Sequence, residues 1–318
     1  MFHTRWCFLL MILIAAGGTA FAYLTGNIAY FADNVGFLFP SSDEWISGRL
    51  WSLCAGVGLS VLCAVFVNYL NKSFNIIRHI TWLFAGLFIL MQGAYPSVMG
   101  QLYDGTLMCA MLLLSVVPLF AAFQDPRATR MVFLTFCIVS FGSLFDIAFV
   151  GYLAVLLVGC LQMQCLKLKS FLALLLGILT PYWIVIGSGA VALSDIRLPE
   201  FVSIFSSVPK GNALIMLVYA GLTMFLGAVT GILNLIKVYS YNARTRAYNG
   251  FFLVLFLMSC ILALADYRRF AVYLPIINLS SAFQIGHFFV INGQKRSYIP
   301  LSLIIASYIA VYWWSILM

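Results

Sequence analysis

The sequence predicts an all-α bundle of membrane-spanning helices, and composition, apolar runs and the placement of basic residues all indicate it. Hydrophobic residues make up 64% of the 318-residue chain, and only 8% of its residues are charged. Soluble proteins are about 45–50% apolar and about 25% charged, so a soluble globule could not cover its surface with this chain. The composition also excludes disordered, collagen-like and disulfide-stapled secreted chains. We therefore expect residues 1–318 to form one integral-membrane domain without a soluble domain.

Eleven apolar runs are candidates for membrane crossings. A hydrocarbon core about 30 Å thick needs about 20 apolar residues in helical form, because lipid offers the backbone no hydrogen-bond partner. The runs are 6–24, 50–70, 80–95, 106–123, 131–145, 147–164, 171–193, 213–236, 250–266, 271–290 and 299–317. An unbroken helix over 131–164 would be about 50 Å long and would overshoot the bilayer. We predict two short helices there, joined by a tight turn at Asp146.

The basic residues predict an orientation for these runs, because short cytoplasmic loops collect Lys and Arg. With the N-terminus in the cytoplasm, 12 basic residues fall on that side and 5 on the other. The five outer residues are Arg49, Arg197, Lys210, Arg268 and Arg269. A single span over 131–164 would move Lys167 and Lys169 outside and reverse every later loop. The sequence thus predicts eleven spans, with the N-terminus cytoplasmic and the C-terminus outside.

The first apolar run raises the alternative of a cleaved signal peptide. Ala20, Phe21 and Ala22 form the small-residue pattern that precedes signal-peptidase cleavage. The apolar run before them is longer than the core of most signal peptides, so we expect an uncleaved first helix. Cleavage would leave ten spans with the same orientation.

Cysteine, histidine and charge patterns exclude several kinds of site. The eight cysteines form no Cys-x-x-Cys pair and nearly all lie in apolar runs, where small side chains pack between helices. Three histidines cannot supply a four-histidine iron centre, and no HExxH zinc motif is present. The net charge of +8 is spread in ones and twos instead of forming a nucleic-acid patch. The sequence therefore requires no metal or cofactor and predicts no nucleic-acid partner, while protein partners stay open.

Eight of the nine carboxylates fall on the predicted outer face, and only Asp125 falls on the inner one. Such a polar surface is either a solvated set of loops or a site. Asp43 and Glu44 precede Trp45 in the first outer loop. There either Ser42 or Asp43 caps a helix, with Glu44 at the positive end of its dipole, or Asp43 or Glu44 supplies a general base for an acceptor hydroxyl. Asp104 lies in another outer turn, where we expect it to cap a helix or face water.

Asp146 and two arginines stand out on the same face. Asp146 lies in the least polar part of the chain, and ionisable residues inside membranes are functional candidates by default. The alternative is an outer turn that lets its side chain reach water. Arg268 and Arg269 are exceptions to the charge bias, because they lie on the predicted outer face. Guanidinium groups bind the phosphate of an isoprenoid or of an ordinary phospholipid. We predict that Asp146 pairs with a basic residue, Arg268 or Arg269.

Polar and helix-kinking residues also occur inside the runs. Asn278, Ser281 and Gln284 lie on one helical face, and such residues most often hydrogen-bond between helices. Three prolines inside runs predict kinks: Pro118, Pro181 and Pro275.

Part of the chain resembles a family of bacterial polytopic membrane proteins whose activity is not established. The resemblance runs through Phe133 to Tyr182 and through the final Leu274-Pro275 helix, which Lys295-Arg296 and one last span follow. It implies a multi-pass protein of the bacterial inner membrane.

The stretch Asp43-Glu44-Trp45 is also similar to the acidic pair in the first outer loop of GT-C glycosyltransferases. These integral-membrane enzymes use polyprenyl-phosphate-linked sugars as donors. The likeness implies an envelope enzyme that meets membrane lipid and such a sugar at the outer face, with Asp43 or Glu44 as catalytic base. The candidates for binding the substrate and its phosphate are Arg268, Arg269, Asp146 and Asp104.

Two other classes of function stay open. A transporter or flippase for an amphipathic solute predicts polar groups near the bilayer midplane, with broken helices around them. A non-catalytic scaffold predicts small-residue helix faces and no pocket. A cavity lined by the outer acids would favour the enzyme, and a midplane cavity lined by kinked helices would favour transport.

Overall fold

A computed structural model describes residues 5–31, 37–77, 81–125, 127–191, 212–238, 241–291 and 298–317. Within these residues the fold is all α, with no strand, and this confirms the predicted fold class. The helices are α1 (Arg5–Leu24), α2 (Arg49–Phe74), α3 (Leu83–Ala94), α4 (Pro96–Met99), α5 (Asp104–Ala121), α6 (Thr129–Gly142), α7 (Ala148–Gln162), α8 (Leu168–Gly187), α9 (Asn212–Val238), α10 (Ala243–Ala265), α11 (Phe270–Ile291) and α12 (Tyr298–Leu317). Two 3-10 turns, Ser42–Trp45 and Tyr267–Arg269, precede α2 and α11.

Seven of these helices are long and apolar enough to cross a membrane: α1, α2, α5, α8, α9, α10 and α12. Three shorter apolar helices, α3, α6 and α7, accompany them. The 22-residue helix α11 is outside the set of seven, and it carries Asn278, Gln284 and His287 in its interior. The helices suit a multi-pass membrane protein, whereas the count of eleven spans and the orientation stay predictions.

Hydrogen bonds between distant segments define two ends of the bundle. At one end the backbone N–H of Ser42 donates to Asp104, and Arg269 donates to Asp146. We call this the acidic end, because it gathers Asp43, Glu44, Asp104, Asp146 and Asp266.

At the opposite end the backbone N–H of Gln124 donates to the carbonyl of Met163 at 2.8 Å. The side-chain amide of Asn249 also donates to the carbonyl of Ile76 there. We call this the basic end, because it gathers Lys72, Arg127, Lys167, Lys237 and Arg246. Among the described residues, most of the acids and most of the bases therefore lie at opposite ends of the bundle, as the charge pattern predicted.

Residues 131–164 fold as two short helices, which confirms the predicted hairpin. Helix α6 ends at Gly142, and α7 begins at Ala148 after a turn that contains Asp146. A Cβ atom on Gly142 would overlap the ring of Phe149, so the close return of α7 needs glycine at this position.

Helices α3 and α11 form the centre of the bundle. Every residue of α3 is buried, and so is every residue of α11 from Val272 to His287. A Cβ atom on Gly286 would lie 2.7 Å from the Cβ of Phe84, so the two helices cross closely there. The predicted prolines do lie inside helices, in α5, α8 and α11. A helix buried on all sides is expected to be apolar all round; α3 approaches this, and α11 does not.

Candidate functional site

Asp146 pairs with Arg269, which confirms the pairing predicted from the sequence. Nη1 of Arg269 lies 3.2 Å from Oδ1 of Asp146, with side-chain exposures of 16% and 5%. The same oxygen accepts the backbone N–H of Ala148 at 2.8 Å, where α7 begins. Asp146 therefore holds the start of α7 and joins the α6–α7 turn to the turn before α11.

The charge state of Asp146 depends on pH near neutrality. Burial raises the pKa of Asp146 to about 6, although the guanidinium of Arg269 acts to lower it. The nearby carboxylates of Asp104 and Asp266 raise this pKa further. About half of the Asp146 carboxyls are therefore ionised near pH 6, and the ion pair forms fully at higher pH and is lost at lower pH.

The surroundings of Asp104 differ from those that the sequence predicted. The expectation that it caps a helix or faces water is wrong, since it is the first residue of α5 and is only 1% exposed. Its Oδ1 accepts the backbone N–H of Ser42 at 2.9 Å, which replaces the hydrogen bond that water would give. The hydroxyl of Tyr103 donates to the carbonyl of Ala271 at 3.2 Å. Together these bonds hold the start of α5 against the Ser42–Trp45 turn and against α11.

Asp43 and Glu44 lie in a 3-10 turn instead of at the start of the second helix. The expectation that Ser42 or Asp43 caps that helix is wrong, because α2 begins at Arg49 with Gly48 as its N-cap. The hydroxyl of Ser41 donates to Asp43. The extended backbone of Ile46 ends the turn before it can grow into α2.

Aromatic contacts hold this turn on the bundle. The ring of Trp45 packs edge-on against the ring of Phe145, with 5.0 Å between centroids. The indole N–H of Trp45 donates to the carbonyl of Pro40. The backbone N–H of Leu38 donates to the carbonyl of Leu144 at 2.9 Å, so this segment lies along the α6–α7 turn. Asp43 thus sits close to the Asp146 turn.

Asp43 differs from Glu44 in its surroundings. Its side chain is partly buried, whereas Glu44 is exposed. Burial raises the pKa of Asp43 to about 6, and the charges of Asp104 and Glu44 raise it as well. A carboxylate with a pKa close to the working pH is suited to general-base catalysis.

Asp266 joins the same region, although the sequence did not single it out. It is buried directly before the Tyr267–Arg269 turn, and its Oδ2 lies 3.5 Å from the hydroxyl of Tyr273. Burial raises its pKa, and Arg269 lowers it. The sequence feature that could have indicated Asp266 is its position close to Arg268 and Arg269, the two arginines that depart from the charge bias. Of those two, Arg269 makes the pair with Asp146, and Arg268 is exposed.

Asp104, Asp146, Asp266 and Arg269 form what we call the carboxylate cluster. One oxygen of each acid is buried and accepts no hydrogen bond from the described residues. Arg269 is an electrostatic neighbour of all three acids. The side chains of the described residues do not converge as a metal-ligand set. The three carboxylates thus share the guanidinium of Arg269, so the cluster contains more acidic than basic groups. Buried carboxylates close to one another favour proton uptake.

Polar side chains continue from this cluster along α11 toward the basic end. We call Tyr273, Asn278, Ser281, Gln284 and His287 the polar row, and all five are buried. The amide of Asn278 donates to Oε1 of Gln92 at 3.1 Å, and its oxygen lies 2.7 Å from the hydroxyl of Tyr219. Asn234 donates to Gln284 across the α9–α11 contact. The predicted interhelical role is confirmed for Asn278 and Gln284.

Two members of the polar row have no such role. The hydroxyl of Ser281 and both ring nitrogens of His287 have no hydrogen-bond partner among the described residues. Most buried polar groups in proteins are hydrogen-bonded, so each exception calls for an explanation. The sequence places His287 in an apolar run, but it does not tell whether a neighbour satisfies the imidazole.

Two of the cavities between the described helices are well formed, and neither is lined by the carboxylate cluster. A cavity of about 210 Å³ lies among apolar residues of α1, α3 and α12. A cavity of about 120 Å³ lies among α9, α10 and α11, and Gln284 of the polar row borders it. The cavity lined by outer acids that would favour an enzyme is not one of these two.

The chain matches no family model, no curated protein and no solved structure.

Proposed function

We propose that this protein is a transporter for a polar or amphipathic solute in a bacterial inner membrane. The observation that carries the proposal is the polar row on α11. A helix that other helices bury on every side has no need of polar residues for solubility. Polar groups inside a membrane bundle are retained mainly for packing or for a solute or ion path.

Packing accounts for only part of the row. The hydrogen bonds of Asn278 with Gln92 and Tyr219 fix α3, α9 and α11 together. Ser281 and His287 make no hydrogen bond that holds two helices together, because no described residue bonds their polar atoms. A buried hydroxyl or imidazole without a partner costs about 1–3 kcal/mol. A path that polar solutes enter supplies the missing partners.

The carboxylate cluster provides a proton-dependent step at one end of this path. Protonation of Asp146 removes one half of the ion pair with Arg269, which joins the α6–α7 turn to α11. Loss of that contact frees the turn to move relative to the central helix. Proton binding at a buried pair is a recurring way to bias one of two packing states.

Solute-driven current in liposomes tests the transport proposal. Purified protein in liposomes on a solid-supported membrane is challenged with sugars, amino acids, nucleosides and organic acids in turn. We expect at least one class to give a current that His287→Leu abolishes. The matched control is Ser280→Ala, since among the described residues the Ser280 hydroxyl bonds its own helix alone, to Ile276 at 2.7 Å and Ile277 at 3.2 Å. Currents no larger than those of empty liposomes for every class would overturn the proposal.

An envelope enzyme is the second candidate, and Asp43 supports it. Its partly buried carboxylate, with a pKa near 6, suits a base that activates an acceptor hydroxyl. In this view Asp43 or the exposed Glu44 is the base that acts on a polyprenyl-phosphate-linked sugar, as the likeness to GT-C glycosyltransferases implies. The exposed Arg268 binds the phosphate of that sugar, because guanidinium groups bind phosphate. Asp104 and Asp146 would then position the site, because their oxygens are engaged by Ser42 and Arg269.

Envelope analysis of point variants tests the enzyme candidate. Loss of a general base lowers a rate by about 10²–10⁴-fold, so Asp43→Asn should deplete one envelope glycan. Glu44→Gln, on the exposed neighbour, separates the roles of the two acids. Unchanged glycans in Asp43→Asn, Glu44→Gln and Arg268→Ala together would remove this candidate.

A further inference from the structure

Four basic side chains lie where α6 and α8 begin, at the basic end of the bundle. Arg130 lies in the first turn of α6, and Arg127 lies just before that helix. Lys167 is the N-cap of α8, and Lys169 lies in its first turn. All four side chains are exposed, and none makes an ion pair with a described residue. We call these four residues the basic patch.

Hydrogen bonds bring the two helix starts together. The backbone N–H of Gln124, in the loop before α6, donates to the carbonyl of Met163 at 2.8 Å. The side-chain amide of Gln124 donates to that of Gln164, 40 positions later and just before α8, at 3.2 Å. The loops that lead into α6 and α8 therefore lie against each other.

Helices α6 and α8 keep this register as they run parallel from the basic end. Near the far end of both helices the hydroxyls of Ser143 and Tyr182, 39 positions apart, lie 2.6 Å from each other. Arg130 and Lys169 are separated by the same number of positions, so the register places them at one level of the bundle. The axes of packed helices lie about 8–10 Å apart, which leaves the four basic side chains within reach of one ligand.

Helix stability does not account for the basic patch. The dipole makes a helix N-terminus partly positive, so bases there destabilise a helix and acids stabilise it. Neither α6 nor α8 has an acid in its first turn. The nearby carboxylate of Asp125 accepts the backbone N–H of Arg127 at 2.8 Å. The four cations exceed this carboxylate by three charges and so favour an anion from outside the chain.

Apolar surface begins next to the basic patch on both helices. Helix α6 exposes Met131 and Leu134 directly after Arg130. Because α8 packs mainly on α6, much of its surface is turned away from the described helices. Four exposed leucines recur along this surface at helical spacing: Leu168, Leu172, Leu175 and Leu179. A ligand with anionic groups and long apolar chains fits both parts, whereas a soluble anion fits the bases alone.

We propose that the basic patch binds an anionic phospholipid with two phosphates, such as cardiolipin, and that its acyl chains lie on α6 and α8. Basic pockets between membrane helices bind headgroups of this kind. Two phosphates match two bases at the start of each helix. The bound lipid joins α8 to α6 at the basic end, as the Ser143–Tyr182 contact does at the other. The proposal does not depend on transport.

Native mass spectrometry of the full chain tests the lipid preference. The protein is released from nanodiscs that contain equal amounts of cardiolipin, phosphatidylglycerol and phosphatidylcholine. We expect cardiolipin to be retained in preference to the others, because phosphatidylglycerol has one phosphate and phosphatidylcholine has no net charge. Retention of either of these lipids as strongly as cardiolipin, or of no lipid at all, would overturn the proposal.

Neutral variants test the placement of the lipid. Arg130→Gln and Lys169→Gln should each weaken cardiolipin binding about fivefold, through loss of one charge near the membrane surface. The matched controls are Lys72→Gln and Arg244→Gln, since both residues are exposed at the same end but lie on α2 and α10. An equal loss in the controls, or no loss in the two patch variants, would contradict the placement.

Thermal melting in a zwitterionic detergent separates lipid binding from folding. Without lipid, the double variant Arg130→Gln/Lys169→Gln should melt at the temperature of the unaltered chain. Added cardiolipin should raise the melting temperature of the unaltered chain and of Arg130→Lys/Lys169→Arg, which keeps both charges, more than that of the neutral variant. An equal rise in the neutral variant would overturn the proposal. The lipid preference of the unaltered chain stays decisive if a variant fails to fold.

Discussion

The carboxylate of Asp146 lies 3.2 Å from the guanidinium of Arg269, across 123 positions of sequence. This contact ties the α6–α7 turn to the start of the central helix. It also places the charge of Arg269 within electrostatic reach of Asp104 and Asp266. Arg269 is therefore the residue on which the acidic end depends most.

Arg269→Gln should destabilise the protein more than Asp146→Asn does. Removing the cation leaves three buried carboxylates without it, and breaking a buried pair from one side costs about 3–5 kcal/mol. Asp146→Asn leaves Arg269, which is 16% exposed and so partly solvated. Melting in detergent at pH 8 compares the two variants, with Arg268→Gln as the exposed control. A larger loss for Asp146→Asn would contradict the account.

The free energy of unfolding of the whole protein should fall as pH rises from about 4 through about 6. The pKa of Asp146 is raised from 3.8 to about 6, so the folded state holds its proton more tightly than the unfolded chain does. This contribution is complete below the lower value and is lost as pH rises through the upper one. Melting between pH 4 and pH 8 should show that slope, and Asp146→Asn should make it shallower, since Asp43, whose pKa is also about 6, still contributes. An identical slope in the variant would show that another group is responsible.

Gly142→Ala should prevent α7 from packing closely against α6. The added Cβ overlaps the ring of Phe149, and the Sδ of Met111 lies 2.9 Å from the Cβ position. Overpacking of this kind costs about 1–3 kcal/mol. The matched control is Gly17→Ala, since a Cβ there meets nothing within 4 Å. Phe149→Leu in the Gly142→Ala background should restore part of the lost melting temperature, and no restoration would contradict the packing argument.

The predicted orientation is tested by cysteine labelling at two exposed positions. Glu44→Cys lies at the acidic end, and Arg244→Cys lies in the first turn of α10 at the basic end. An impermeant thiol reagent applied to intact cells should label Glu44→Cys alone. Labelling of Arg244→Cys alone would reverse the orientation.

The sequence predicts the parts of this fold that depend on local pattern. The apolar runs and the length limit of a span predict the hairpin around Asp146. The scarcity of cations on the acidic face leaves few partners for a buried carboxylate, which is why its pairing with Arg268 or Arg269 was predictable.

The features that the sequence misses depend on contacts between distant segments. Asp104 is buried because Ser42, 62 positions away, offers it a backbone N–H. Asp266 joins the cluster only because Arg269 turns back toward Asp146. No local pattern separates Ser281 from Ser280, although the hydroxyl of Ser280 bonds its own helix and that of Ser281 does not.

These neighbouring serines provide the most direct test of the claim that the polar row lines a path open to polar solutes. Ser281→Cys and Ser280→Cys are treated with a small charged thiol reagent in liposomes, and mass spectrometry identifies the modified peptide despite the native cysteines. If the polar row lines such a path, the reagent should modify position 281 rapidly, any solute that drives current should slow that reaction, and position 280 should be protected. Equal protection of both positions would contradict it.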